Sequence, residues 1–166
     1  MKSEFPRRRS SPRLSGFDYK GFRAYSITLA TANRRQCFVD KAVVSRARGV
    51  LEEAAERHGF DLLCYCFMPD HLHALLQGKT EASHLAAFVR AFKQRSGFEF
   101  SRDRAQDLWQ RSYYDHVVRS HEVVGEVALY ILENPVRRRL CDDWWRYHGS
   151  GGALKKALAA ERHGQT

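Results

Sequence analysis

The stretch Tyr65-Cys66-Phe67-Met68-Pro69-Asp70-His71-Leu72-His73-Ala74-Leu75-Leu76 constrains the fold more than any other part of the chain. It reads as the end of one strand, a turn at Pro69-Asp70 and a second strand. Alternate side chains along a strand share a face, so His71 and His73 project together while Leu72 points to the opposite side. At roughly 3.3 Å rise per residue the two imidazoles sit about 6.6 Å apart along the backbone. Neutral imidazoles so placed can converge on one divalent metal ion. The same spacing also suits two ordinary surface histidines, each with its own hydrogen bond.

Around this stretch the periodicities alternate. Phe22 to Thr31 is β-prone and alternating, a first strand. Asp40 can cap a helix through about Arg57, with Val43, Val44, Ala47, Val50, Leu51 and Ala54 at helical spacing, and His58-Gly59 ends it. Asp61–Phe67 and His71–Gln77 are the second and third strands. Thr80 is expected to cap a second helix, with Leu85, Phe88, Val89 and Phe92 as its apolar stripe and Gly97 as its end. A mixed loop then leads to a fourth strand, Tyr113 to Val118. Ser120 is expected to cap a third helix to about Asn134, ended by Pro135. On it Tyr130 and Asn134 are four apart and share a face. The pattern is an α+β fold: a ferredoxin-like β-α-β-β-α-β antiparallel sheet with two helices on one face and an added C-terminal helix. Residues 1–20 read as a flexible basic arm, 21–147 as the domain and 148–166 as a tail holding a short Ala/Lys helix. If the histidines face away from the two core helices, the third helix can close over them.

With 166 residues and 43% hydrophobic content, the chain can bury a core as a single domain. No apolar run is long enough for a membrane span and no secretory leader is evident, so a cytoplasmic, nucleoid-associated protein is expected. The 28 Lys and Arg outnumber the 19 Asp and Glu, a net charge of +9. That excess favours a polyanionic partner, nucleic acid first. Arg7, Arg8 and Arg9 in the arm, Arg90, Lys93 and Arg95 on the second helix, and Arg137, Arg138 and Arg139 after the third are candidate phosphate contacts; each also suits a solvated surface. The four cysteines, Cys37, Cys64, Cys66 and Cys141, contain no C-x-x-C pair, and buried thiols are expected rather than a zinc site or disulfides. Trp109, Trp144 and Trp145 suit either stacking on unpaired bases or core packing.

Three blocks in order, Met68-Pro69-Asp70-His71-Leu72-His73, Leu108-Trp109-Gln110-Arg111-Ser112-Tyr113-Tyr114-Asp115-His116 and Tyr130-Ile131-Leu132-Glu133-Asn134-Pro135-Val136, resemble the single-tyrosine HUH transposases, and within them the REP-associated tyrosine transposases. The resemblance runs from about Gly21 to Tyr147. It implies a ferredoxin-like fold acting on single-stranded DNA beside palindromic hairpins. It also implies that His71 and His73 ligate Mg²⁺ or Mn²⁺, with Asn134 as third ligand and Tyr130 as nucleophile. Read on its own, Tyr130 is better taken as an ordinary half-buried tyrosine on an amphipathic helix, and Tyr113, Tyr114, His116 and His121 compete less well for roles. The expected activity is nicking and strand transfer through a 5′-phosphotyrosine, with a monomer expected and a homodimer as alternative. The other function classes are a non-catalytic hairpin-binding protein and a metal-dependent hydrolase of small phosphoesters.

Overall fold

A computed structural model describes residues 17–119 and 121–163. Arg7, Arg8, Arg9 and the expected cap Ser120 lie outside the described residues. The strands are β1 (Ala24–Ala30), β2 (Phe60–Met68), β3 (His71–Gly78), β4 (Tyr114–Val118) and the two-residue β5 (Ser150–Gly151). The helices are α1 (Lys41–Arg57), α2 (Leu85–Arg104), α3 (His121–Leu132), the single turn α4 (Asn134–Arg137) and α5 (Ala153–His163). The sheet order is β4-β1-β3-β2-β5, with every neighbouring pair antiparallel. Through β4 the succession is β-α-β-β-α-β, the expected α+β arrangement.

Alternation sorts the side chains into two cores. Tyr25, Ile27, Leu29, Tyr65, Phe67, Leu72, Ala74 and Leu76 face α1 and α2. Ala24, Cys64, Cys66, Met68 and Leu75 face the other way, against Val127, Ala128, Ile131 and Leu132 of α3 and Trp144 and Tyr147 beyond it. Both faces are covered, which explains why β2 from Cys64 to Met68 is apolar and buried at every position instead of alternating. The odd positions of β3 put His71 and His73 on the α3 face.

Asp40 caps α1 by accepting from the Ala42 amide at 2.8 Å, and Gly59, at φ +69°, lets the chain leave it, both as the sequence suggests. The second helix differs. Thr80 does not cap it: the Thr80 hydroxyl lies 3.2 Å from that of Ser83, which in turn donates to the Gly59 carbonyl at 2.5 Å. The cap is His84, whose Nδ1 accepts from the Ala87 amide, and the Leu85 amide donates to Tyr19. Gly97 does not end α2 either. Phe100 one turn later is buried, and that burial outweighs the roughly 1 kcal/mol helix penalty of a glycine. The helix stops only at Ala105, in left-handed geometry.

Pro135 does not stop the third helix outright. α3 ends at Leu132, Glu133 stays helical, and Pro135 sits in the first turn of α4, where a missing N–H costs least. Residues 150–163 do more than expected of a tail. β5 pairs with Tyr65 and Cys66, and Leu154, Leu158 and Ala159 of α5 pack on the second core. β5 depends on glycine: a Cβ on Gly151 would fall 2.4 Å from the Tyr65 hydroxyl, and Gly152 holds φ +102°. The half-buried Lys155 donates to the carbonyls of Tyr147 and Ser150, tying α5 to this corner. Among the described residues no helix is long and apolar enough to cross a membrane.

Candidate functional site

His71 and His73 meet. Their Nε2 atoms are 3.0 Å apart, with the rings perpendicular. Each Nδ1 has its own partner: His71 faces the Asp70 carboxylate at 2.5 Å, and His73 faces the Thr28 hydroxyl at 2.9 Å across the β1–β3 ladder. The partners assign the protons. A carboxylate only accepts, so His71 carries its proton on Nδ1 and presents a lone pair on Nε2. The short Nε2–Nε2 contact then needs the proton of His73 on Nε2, with Nδ1 accepting from Thr28. A hydroxyl both donates and accepts. If the His73 proton moves to Nδ1, Thr28 can rotate to receive it, and both Nε2 lone pairs then converge.

Burial keeps both rings neutral. It lowers the His71 pKa against the opposing pull of Asp70. It pushes His73 down to about 3, helped by the neighbouring His71 and then by the charges of Arg137, Arg34 and Arg138. Burial alone would raise the Asp70 pKa, but the His71 hydrogen bond and the Arg34 charge bring its carboxyl below the ordinary value. Arg34 reaches the Asp70 carboxylate at 3.5 Å.

Asn134, the third expected ligand, is engaged in the helix backbone. Pro135 has no N–H for the Ile131 carbonyl four residues back. The Asn134 side-chain amide fills that gap, donating to Ile131 at 3.3 Å and to Tyr130 at 3.1 Å. Asn134 is buried, and this anchorage of its nitrogen orients its amide plane while its oxygen keeps acceptor capacity. Tyr130 is 37% exposed on α3. The Arg137 guanidinium lies over its ring, 4.1 Å from the centroid, while donating to the Tyr130 carbonyl and to Glu133. Arg137 is therefore stacked on the tyrosine while its charge also acts on His73.

Other candidates lie elsewhere. Arg90, Lys93 and Arg95 belong to α2, in the layer opposite the histidines. Lys93 donates to the carbonyls of Gln110 and Arg111, and Arg95 pairs with Glu53 at 2.5 Å. Trp109 packs between Phe38 and Phe92 and donates to Ser96, and Trp144 is buried, so both build the core. Cys64 and Cys66 are buried free thiols, with Cys64 pushed up to about 12 by burial. Among the described residues no three His, Cys, Asp or Glu side chains gather as a metal cluster. Thr28, Arg34 and the stacking of Arg137 escape sequence reading; Asp70 was in view beside His71, but its role was not.

The model of the IS200-like transposase family matches residues 23–134, from the first strand to Asn134. The chain belongs to this family. This IS200-like transposase is 21% identical over 134 residues to a curated Haemophilus influenzae protein named as a candidate REP-associated tyrosine transposase, covering 72% of this chain and 76% of that one. Its fold is similar to that of a REP-associated tyrosine transposase solved bound to a REP hairpin, with a TM-score of 0.70 at 18% identity over 86% of this chain and 82% of the other. A candidate transposase from Deinococcus radiodurans is 27% identical with a TM-score of 0.51, covering 74% of this chain and 95% of its own.

Proposed function

We propose that this IS200-like transposase nicks single-stranded DNA beside REP-like hairpins and transfers the strand through a 5′-phosphotyrosine on Tyr130. The observation that carries the reading is the pair of opposed Nε2 atoms, each backed by its own Nδ1 partner, on the sheet face covered by the helix that bears Tyr130. The partner class follows from the net charge of +9 and from the hairpin bound to the similar solved protein.

The donor set, two neutral imidazoles and one amide oxygen, would suit a divalent cation, Mg²⁺ or Mn²⁺, once both Nε2 lone pairs are free. His71, His73 and the Asn134 oxygen would hold the ion, and all three are neutral, so its charge is not quenched. When bound, the ion polarises the scissile phosphate as a Lewis acid.

The chain's own residues do the rest. The Tyr130 oxygen attacks phosphorus and loses its proton, the bond to the 3′ oxygen breaks, and that oxygen leaves as a protonated 3′-OH. A phenol has a pKa near 10, so the tyrosyl ester leaves readily when a 3′-OH attacks in the reverse direction, and strand transfer needs no nucleotide triphosphate. Arg137 keeps a cation against the nucleophile, where negative charge collects on the attacked phosphate. Arg138, Arg139 and the arm residues Arg7, Arg8 and Arg9 supply further phosphate contacts.

The test is a covalent adduct. Incubation with a single-stranded hairpin oligonucleotide and Mn²⁺ yields a DNA-shifted band, and Tyr130→Phe abolishes the band while retaining hairpin binding. Tight binding without an adduct on any hairpin overturns the catalytic reading in favour of a hairpin-binding protein.

A further inference from the structure

We infer that the cleft between the start of α1 and the end of α2 holds one unstacked base of the DNA strand, an inference that rests on the proposed function. The cleft has a volume of about 280 Å³ and is lined by Arg35, Gln36, Val39, Phe100, Arg104 and Gln106, with the half-buried Cys37. It is coupled to the histidine turn by one loop. The Thr31 hydroxyl lies 2.7 Å from the Arg35 carbonyl and 2.9 Å from that of Asp70, and the Phe38 amide donates to Pro69 at 3.0 Å. Consecutive arginines on this loop serve two sites: Arg34 reaches the Asp70 carboxylate beside His71, and Arg35 lines the cleft. Asn33 and Arg34 hold φ of 54° and 55°, a left-handed conformation that side-chain-bearing residues avoid unless something requires it.

The chemistry of the cleft points to a base. Phe100, only 8% exposed, gives it an apolar floor, and Val39, 63% exposed, an apolar lip. The amides of Gln36 and Gln106 stand at its polar side. Arg35 donates to the Gln106 amide oxygen at 2.8 Å and to the Asp107 carbonyl, but its Nε–H is buried and without a partner among the described residues. The side chain that lines the cleft thus keeps unused donor capacity. Asp40, the lone acid in the lining, is already engaged by Arg104 at 2.5 Å, so the cleft remains cationic. A planar ligand with a carbonyl or ring-nitrogen acceptor, attached to a phosphodiester, satisfies all of these features. A paired base cannot enter, because its faces and edge are occupied by the duplex, whereas a base in a single-stranded flank can.

Cys37 reports occupancy directly. The wild-type protein is saturated with a hairpin oligonucleotide carrying single-stranded flanks, and alkylation of Cys37 by N-ethylmaleimide is followed by peptide mass spectrometry, with the flankless-hairpin complex as the reference. The flanked hairpin slows Cys37 alkylation about tenfold. A flankless hairpin leaves the rate unchanged, and an abasic substitution at one flank position restores it. Unchanged Cys37 alkylation in a complex that still forms the Tyr130 adduct overturns the base site and leaves the transposase reading intact. Protection by the flankless hairpin, or protection insensitive to every abasic position, also overturns it. If no oligonucleotide binds or forms an adduct, the transposase reading fails and the base site falls with it.

Discussion

Replacing Thr28 by Val removes one hydroxyl, keeps the shape of the side chain, and asks whether β1 controls the histidine pair. In the wild type the Thr28 oxygen is 2.9 Å from His73 Nδ1 and serves either proton arrangement of that ring. Without it, Nδ1–H has no acceptor, and the ring keeps its proton on Nε2, against His71 at 3.0 Å. Binding an ion then requires moving the proton to an unpaired buried nitrogen, at a cost of about 1–3 kcal/mol. That range corresponds to a loss of about five- to 150-fold in affinity. Removing the hydrogen-bond partner of a metal-bound histidine independently costs about 10–100-fold, so the two routes agree. The assay is calorimetric titration of the DNA-free protein with Mn²⁺, accompanied by the Mn²⁺ midpoint of Tyr130 adduct formation, and Thr28→Ser restores both. Imidazole ¹⁵N shifts report the tautomer separately: His73 in Thr28→Val stays protonated on Nε2 when Mg²⁺ is added. An affinity within about twofold of wild type, or failure of Thr28→Ser to rescue, refutes the reasoning.

Two further substitutions test other parts of the argument. Arg137→Ala removes the cation 4.1 Å from the Tyr130 ring and is expected to slow adduct formation by about two- to thirtyfold, the range of a cation–π contact, without loss of secondary structure by circular dichroism; a full-rate variant removes Arg137 from the site. Gly152→Ala places a methyl 2.5 Å from the Cys64 Cα at φ +102°; strain of about 1–3 kcal/mol predicts a melting temperature lower by roughly 2–10 °C, with faster amide exchange at Ser150 and Cys66, and unchanged melting counts against β5 as a structural strand.

What could be read from the chain follows the range of each signal. α1 was legible from Asp40 to Gly59 because its cap, stripe and exit all lie within the element. The ends of α2 were not, because they are decided at a distance: Ser83 takes Thr80 into a turn tied to Gly59, and burial of Phe100 carries the helix through Gly97. β5 has two residues and no period to detect; its pairing depends on two glycines that let the backbone approach Tyr65 and Cys64. The fourfold spacing of Tyr130 and Asn134 gave no sign that the Asn134 amide also repairs the hydrogen bond Pro135 removes.

The same division runs through the site. His71 and His73 were visible because two residues on one strand must share a face. Their working state is a question of where protons sit, and that is decided by two partners of different origin. Asp70 is adjacent in sequence and fixes His71 outright, since a carboxylate accepts and does not donate. Thr28 arrives only through the β1–β3 register and leaves His73 able to exchange tautomers, since a hydroxyl can do either. One histidine is thereby locked and the other switchable. A locked pair with both Nε2 atoms unprotonated would set two lone pairs against each other at 3.0 Å whenever no ion is bound. On the proposed metal reading, the threonine would let the pair pass between a hydrogen-bonded resting state and a ligating one without charging either ring.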